Sequence, residues 1–310
     1  MLAAMTARIT QTFAFCLLLA VACAVCFAQG ASKDQVIEVP FEFYRNEIIV
    51  QVKINGQGPF NMLLDTGTNP SAIEVTTARA LGLKLESAGK PVTGGGTSAN
   101  VAYATKLPLV ELGDLAAKNV EALAVDLSKV SEGLGRRLDG ALGQSLLKGR
   151  IVQIDYPNRV LRFYANSPFA TQATTANLTV LPFHYNDDVL IDDVLVNGKK
   201  LVGNIDTGSS GLFSLTPAAV SYLGLEEDVS RGAVSTGVGY NGAAENRQGK
   251  VANVTVGGIS IDSPTVTFFA KGSGRDRKPW GVNIGNQFFK DFVVTIDYRR
   301  KLITLAQPVN

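Results

Sequence analysis

The chain has 310 residues, 46% of them hydrophobic and 18% charged, with a formal net charge of +2. This is a globular composition with enough apolar material for a sizeable core, and at about 150 residues per domain the length points to two domains. The charge balance offers no basic surface for a nucleic-acid partner and no polybasic membrane patch.

The first 28 residues stand apart. Arg8 is the only charge before Lys33, and Phe13 to Phe27 is almost wholly apolar. Ala28 follows, then a polar run. A charged start, an apolar middle and a small-residue cut site predict a secretory signal peptide over 1–28. The apolar run is about 15 residues, short of the roughly 20 that a spanning helix needs, so no integral membrane span is expected once the signal is cleaved. Attachment as a lipoprotein at Cys23 fits less well, because Ala20-Val21-Ala22 before it is a poor lipidation signal. All three cysteines, Cys16, Cys23 and Cys26, lie inside this segment. The mature chain would then have no disulfide and no cysteine nucleophile. With His184 as the single histidine, structural zinc sites built on several Cys or His are excluded as well. The chemistry is pushed toward carboxylates. About seven residues separate the expected cut from Val36, and five follow Leu305, so neither a folded propeptide nor an appended domain is expected.

After the leader the pattern is mostly β. EIIVQVKI at 47–54 and NVTVGGISI at 253–261 are rich in β-branched residues and read as strands. Asn55-Gly56 and Asn197-Gly198 are hairpin-turn signals. Helix is expected only at about 74–82 and 216–223, the latter with Thr216 as cap and Pro217 in the first turn.

The chain also repeats itself. NMLLDTGTNPSAIEVTTARALGLKLE (61–86) is echoed by VGNIDTGSSGLFSLTPAAVSYLGLEE (202–227). Upstream, 39–57 pairs with 181–199. Downstream, LDGALGQSLLKGRIVQIDY pairs with WGVNIGNQFFKDFVVTIDY, and Gly143 follows Asp65 at the same remove, to within one position, as Gly285 follows Asp206. The expected organisation is therefore an N-terminal lobe at 36–165, a linker rich in Ala, Thr and Ser at 166–178, and a C-terminal lobe at 179–306.

Asp65-Thr66-Gly67-Thr68 and Asp206-Thr207-Gly208-Ser209-Ser210 resemble the two signature turns of the pepsin and retropepsin superfamily of aspartic proteases. Ala141-Leu142-Gly143 and Asn283-Ile284-Gly285 resemble the segment that the family places behind each turn, Asn283 departing from its apolar preference. The chain is most similar to bacterial exported aspartyl proteases with two retropepsin-like halves. The resemblance implies an all-β, two-lobed acid-protease fold with short helices, and an aspartic endopeptidase of the periplasm acting on peptide or protein substrates. It implies no metal and no cofactor. Because both halves sit in one chain, a monomeric pseudo-dimer would suffice. Asp65 and Asp206 would be the catalytic pair, and Thr66 and Thr207 would interlock across the lobe boundary.

The chemistry explains the residue types. Two carboxylates about 3 Å apart cannot both ionise, so they share one proton and can act as base and acid toward the same water. Gly67 and Gly208 lack a Cβ and let backbone N–H groups approach the carboxylates. Thr68 and Ser209 carry hydroxyls able to donate to the outer oxygens. A flap is expected at the Gly-rich stretch 93–97, with Tyr103 as its substrate-contacting residue and Tyr240 as the second-half counterpart. Asp155 and Asp297 precede turns and read as turn caps. His184 aligns with Glu42 and reads as a strand-surface residue. Lys271, Arg275, Arg277 and Lys278 read as a solvated basic loop. Two competitors remain: a non-catalytic peptide-binding pseudoprotease on the same fold, and a glycoside hydrolase using the two carboxylates. The repeat and the single Trp argue against the second.

Overall fold

A computed structural model describes residues 36–87, 95–96, 100–169, 177–276 and 278–307. The expected signal peptide with its three cysteines, residues 93, 94 and 97 of the Gly-rich stretch, residues 170–176 of the linker and Arg277 lie outside the described residues. Among the described residues, no helix is long and apolar enough to cross a membrane.

Three sheets carry the fold. One has eight strands, all drawn from residues 42–142, and one is built only from residues 184–284. The third has six strands, three from each half, in the order Val36–Pro40, Val160–Tyr164, Ile151–Asp155, Val293–Asp297, Leu302–Ala306, Leu178–Pro182. The halves meet where Ile151–Asp155 runs antiparallel to Val293–Asp297, with Ile154 opposite Val294 and Val152 opposite Ile296. The repeated Ile-Asp-Tyr segments are thus the seam between the two halves.

Strand Glu47–Ile54 shows why these sequences extend. Ile48, Val50, Val52 and Ile54 alternate onto one buried face of the main core, and their branched side chains suit a pleated, packed surface. Ile49 points the other way and joins Leu63, Ala141 and Leu138 in a second, smaller apolar cluster. The following turn has Asn55 at φ 53° and Gly56 at φ 73°, and its repeat has Asn197 at 50° and Gly198 at 74°. Two successive positive φ values make a type I′ turn, whose twist matches the flanking strands.

The first half then makes a crossover that the second half copies. Strand Gln57–Leu64 runs parallel to Gly140–Leu142, and Lys199–Ile205 runs parallel to Val282–Ile284. Asp65 and Asp206 each fall one residue beyond the end of such a strand. Asp65 N–H donates to Leu142 O at 3.0 Å, and Asp206 N–H donates to Ile284 O at 3.0 Å.

Helix is present at Val75–Ala80 and Pro217–Leu223. Thr216 accepts from Ala219 N–H at 3.2 Å, with Pro217 in the first turn. The expectation that helix is confined to these places is corrected by four more short helices, Ser128–Leu134, Gln144–Leu147, Glu226–Arg231 and Asn286–Phe289. Two of them are four residues long, too short to show a helical period. Glu226–Arg231 had a legible signal, three acids in its first turn and Arg231 in its last, which suits the helix dipole.

Candidate active site

The two Asp-Thr-Gly turns lie face to face. Thr66 N–H donates to Thr207 Oγ1 at 3.0 Å, and Thr207 N–H donates to Thr66 Oγ1 at 3.0 Å. Each hydroxyl then donates across the boundary to the main chain before the opposite aspartate: Thr66 Oγ1 to Ile205 O at 2.7 Å, Thr207 Oγ1 to Leu64 O at 2.8 Å. Four buried hydrogen bonds thus lock the loops in register. A second layer backs them. Gln144 Nε2 donates to Thr66 O at 2.5 Å and Asn286 Nδ2 to Thr207 O at 2.7 Å. Tyr156 of the first half donates to Asn286 Oδ1 of the second at 2.6 Å.

The glycines make room for the opposite carboxylate. A Cβ on Gly67 would sit 2.7 Å from Asp206 Oδ1, and one on Gly208 would overlap the Asp65 carboxyl. Each glycine N–H also donates to its own aspartate, Gly67 to Asp65 Oδ1 at 2.8 Å and Gly208 to Asp206 Oδ1 at 3.1 Å. The two carboxyls are therefore held close, buried and solvated by fixed donors.

Their outer oxygens are held differently. Thr68 Oγ1 donates to Asp65 Oδ2 at 2.5 Å. The corresponding Ser209 does not do this for Asp206. Its place is taken by Asn283, whose Nδ2 donates to Asp206 Oδ2 at 2.8 Å. Asn204 Nδ2 in turn donates to Asn283 Oδ1 at 2.8 Å. The first half has Leu63 and Ala141 at these two positions. The departure of Asn283 from an apolar pattern is thus matched by a second departure, and both serve Asp206.

Of the two tyrosines expected in flaps, Tyr240 is the one that reaches the pair. Its hydroxyl donates to Asp65 Oδ2 at 3.1 Å and lies 2.9 Å from Thr68 Oγ1. It sits at the tip of the hairpin Ala233–Gly239/Gly242–Lys250. That tip is tied to the first half: Asn241 N–H donates to Gly95 O at 2.9 Å, and Asn100 Nδ2 donates to Tyr240 O at 2.7 Å. Tyr103 is elsewhere, in strand Tyr103–Leu112, paired with Ala124 and Ser87 and packed on the main core.

Burial, then the charge of Asp206, push the Asp65 carboxyl up to about 6, against the hydrogen bonds from Thr68, Gly67 and Tyr240. A third carboxyl, Glu47, feels the charge of the pair and was not among the sequence candidates. Glu47 is pushed well above the usual carboxylate range by burial first and then by the charges of Asp65 and Asp206, against a smaller opposing effect of Ser210. The repeat held a signal for the two asparagines. Asn204 and Asn283 replace apolar residues of the repeat together, whereas Glu47 and Asp188 become equivalent only by strand register, opposite Tyr44 and Asn186.

The remaining candidates lie outside the site. Asp155 accepts from Asn158 N–H at 3.1 Å and Asp297 from Arg299 N–H and Arg300 N–H at 3.0 Å, so both cap turns. His184 is half exposed on its strand, 3.7 Å from Asp192. The basic loop is less solvated than expected. Lys278 is bonded to Asp188, and the Arg275 guanidinium lies 4.3 Å from the Phe269 ring centroid.

The sequence model of the family described as Aspartyl protease matches residues 50–146 and again 193–288. The comparison with curated proteins gives no match. The two matched stretches contain Asp65 and Asp206 in equivalent places and together span more than half of the sequence, so the chain belongs to the aspartyl protease family.

Proposed function

We propose that this chain is an aspartic endopeptidase in which Asp65 and Asp206 activate a water for attack on a peptide carbonyl. The observation that carries this is the crossed cradle: each lobe's glycine fits only because the other lobe's carboxyl occupies the space beside it. Two buried carboxyls in that position hold one proton between them. The ionised member takes a proton from the water as its oxygen bonds to the carbonyl carbon. The protonated member donates to the carbonyl oxygen, giving a neutral diol. Breakdown of the diol breaks the C–N bond, returns a proton to the pair and delivers one to the leaving amine. The extended substrate would pair like a strand with the cleft walls. The raised Asp65 supports its role as proton holder below about pH 6.

A second reading, a peptide-binding protein without catalysis, is favoured by one observation, the Tyr240 hydroxyl seated on Asp65. Peptide-library cleavage across pH 3 to 8, with Asp65→Asn and Asp206→Asn alongside, separates the two. Cleavage lost in both variants supports the protease. Peptide binding without cleavage at any pH supports the second reading. We also propose export to the bacterial periplasm, which rests on the apolar run from Phe13 to Phe27. N-terminal sequencing of the purified protein tests it, a start near Gln29 being expected.

A further inference from the structure

Asp139 and Gly281 hold equivalent places in the two halves. Asp139 N–H donates to Asn61 O at 2.8 Å, and Asp139 O accepts from Glu74 N–H at 2.7 Å. Gly281 N–H likewise donates to Val202 O at 2.9 Å, and Gly281 O accepts from Thr216 N–H at 3.0 Å. Glu74 and Thr216 each cap a helix, so Thr77 and Ala219, three residues on, are equivalent too. The first half fills this place with its own side chains. Asp139 accepts from Thr77 Oγ1 and Arg137 Nε at 3.0 Å and from Asn61 N–H at 3.1 Å, and Arg137 Nη2 donates to Thr77 Oγ1 at 3.2 Å. The second half has Gly281, Ala219 and Pro279 where the first has Asp139, Thr77 and Arg137. All three line an open pocket of about 560 Å³.

The floor of this pocket is apolar. Leu201 leans over Gly281, where a Cβ would meet Leu201 Cδ2 at 2.9 Å and Ala219 Cβ at 3.2 Å. Two lysines line it, Lys200 and Lys278, against one acid, Asp192, which lies 3.7 Å from His184. Lys278 Nζ is bonded to both oxygens of Asp188, and an ammonium with three N–H groups keeps at least one donor beyond those two. Lys200 is exposed, with no hydrogen-bond or ion-pair partner among the described residues. An apolar hollow of this size with a few polar groups is the usual form of a small-molecule site, and the uncommitted donors here are cationic. We propose that the pocket binds a small organic carboxylate with an aliphatic or aromatic body. The body rests on Leu201 and Ala219, and the carboxylate accepts from Lys200 and Lys278. Leu201 and Asp206 are separated by about 16 Å of extended strand, so binding there does not depend on peptide cleavage.

Trp280 is the only tryptophan and lines the pocket, so its fluorescence reports occupancy, with titration calorimetry as a second measure. The probe is 4-phenylbutyrate, and 4-phenylbutanol is its neutral twin. The purified protein should bind the carboxylate about 10-fold more tightly than the alcohol, as a hydrogen bond to a charged group allows. Lys200→Glu should abolish that preference, and Lys200→Arg, which keeps the cation, should retain it. Ala218→Phe fills the pocket from an exposed helix position and should weaken both ligands by at least about 10-fold. No binding by wild type, equal affinity for the two ligands, or binding that ignores both Lys200→Glu and Ala218→Phe overturns the proposal and leaves the protease reading untouched. A peptide ending in a free phenylalanine carboxylate is the last arm. If it binds where 4-phenylbutyrate does not, the pocket serves a protein C-terminus, and the small-molecule assignment fails.

Discussion

Asp65 carries a cost that depends on pH. Its carboxyl is raised from the ordinary 3.8 to about 6, so between those values the unfolded chain ionises while the folded chain keeps its proton. Stability from this group is therefore full below about pH 4, falls as pH rises, and is lost above about pH 6, a loss on the order of 3 kcal/mol. An asparagine at this position has nothing to ionise. Asp65→Asn should raise the urea midpoint over wild type at pH 7 and leave it nearly unchanged at pH 3.5. An equal difference at both pH values would show that Asp65 is not the buried, charge-opposed group described above. Activity should fall through the same window, because the pair loses its shared proton as pH rises past about 6. Tyr240 adjusts that limit. Its hydroxyl donates to Asp65 Oδ2, which favours the ionised form. Tyr240→Phe removes the donor, so the basic limb of the pH–rate profile should move to higher pH, by less than about 1 unit. Asn283→Ala acts on the other carboxyl. It strips Asp206 Oδ2 of its donor and leaves Asn204 Nδ2 without an acceptor. A loss of about 1–3 kcal/mol in stability is expected, with a fall in kcat that denaturant melts and steady-state kinetics would measure together.

The two Asp-Thr-Gly turns work as one element, because each is completed by the other half. Gly208 has no space for a methyl group beside the Asp65 carboxyl. Gly208→Ala should displace Asp65 and lower kcat by more than about 100-fold, since misplacement of about 1 Å costs that much. Near-normal kcat in a folded Gly208→Ala protein would mean that the opposed carboxyls are not held as tightly as the geometry requires. These turns were legible beforehand because every part lies within a few residues of the aspartate and occurs twice. The Asn-Gly hairpins and the Thr216-Pro217 helix start were legible for the same reason: turn and cap chemistry is local. What was not legible depends on residues far apart in the chain. Glu47 comes under the charge of Asp65 and Asp206 only once the chain has folded. Asn283 looks like a flaw in an apolar strand until Asp206 is above it. Tyr103 and Tyr240 are both tyrosines near Gly-rich segments, and only pairing decides between them. Tyr103 is drawn into a ten-residue strand, whereas Tyr240 falls at a hairpin tip tied to Gly95 and Asn100.

At the scale of the molecule, the repeat raises the question of whether the halves are independent. Each has its own sheet, but the six-stranded sheet takes three strands from each, and the main apolar core contains residues of both. Ile154 and Leu161 of the first half belong to the same buried cluster as Ile296 and Phe289 of the second. Separating the halves would expose the long edges of Ile151–Asp155 and Val293–Asp297, a template for wrong pairing. The Thr66–Thr207 lock and the Tyr156–Asn286 bond would be lost with them. Unfolding should therefore be a single cooperative event across the two lobes. Trp280 is the only tryptophan and is buried in the second half, so its fluorescence reports that half alone, while far-ultraviolet circular dichroism reports both. The two urea transitions should coincide. Ile154→Val, a first-half change at the seam, should lower the Trp280 midpoint as much as the dichroism midpoint, at a cost of about 0.5–1.5 kcal/mol. A Trp280 transition that ignores the Ile154 substitution would make the lobes two independent folding units joined only by their linker.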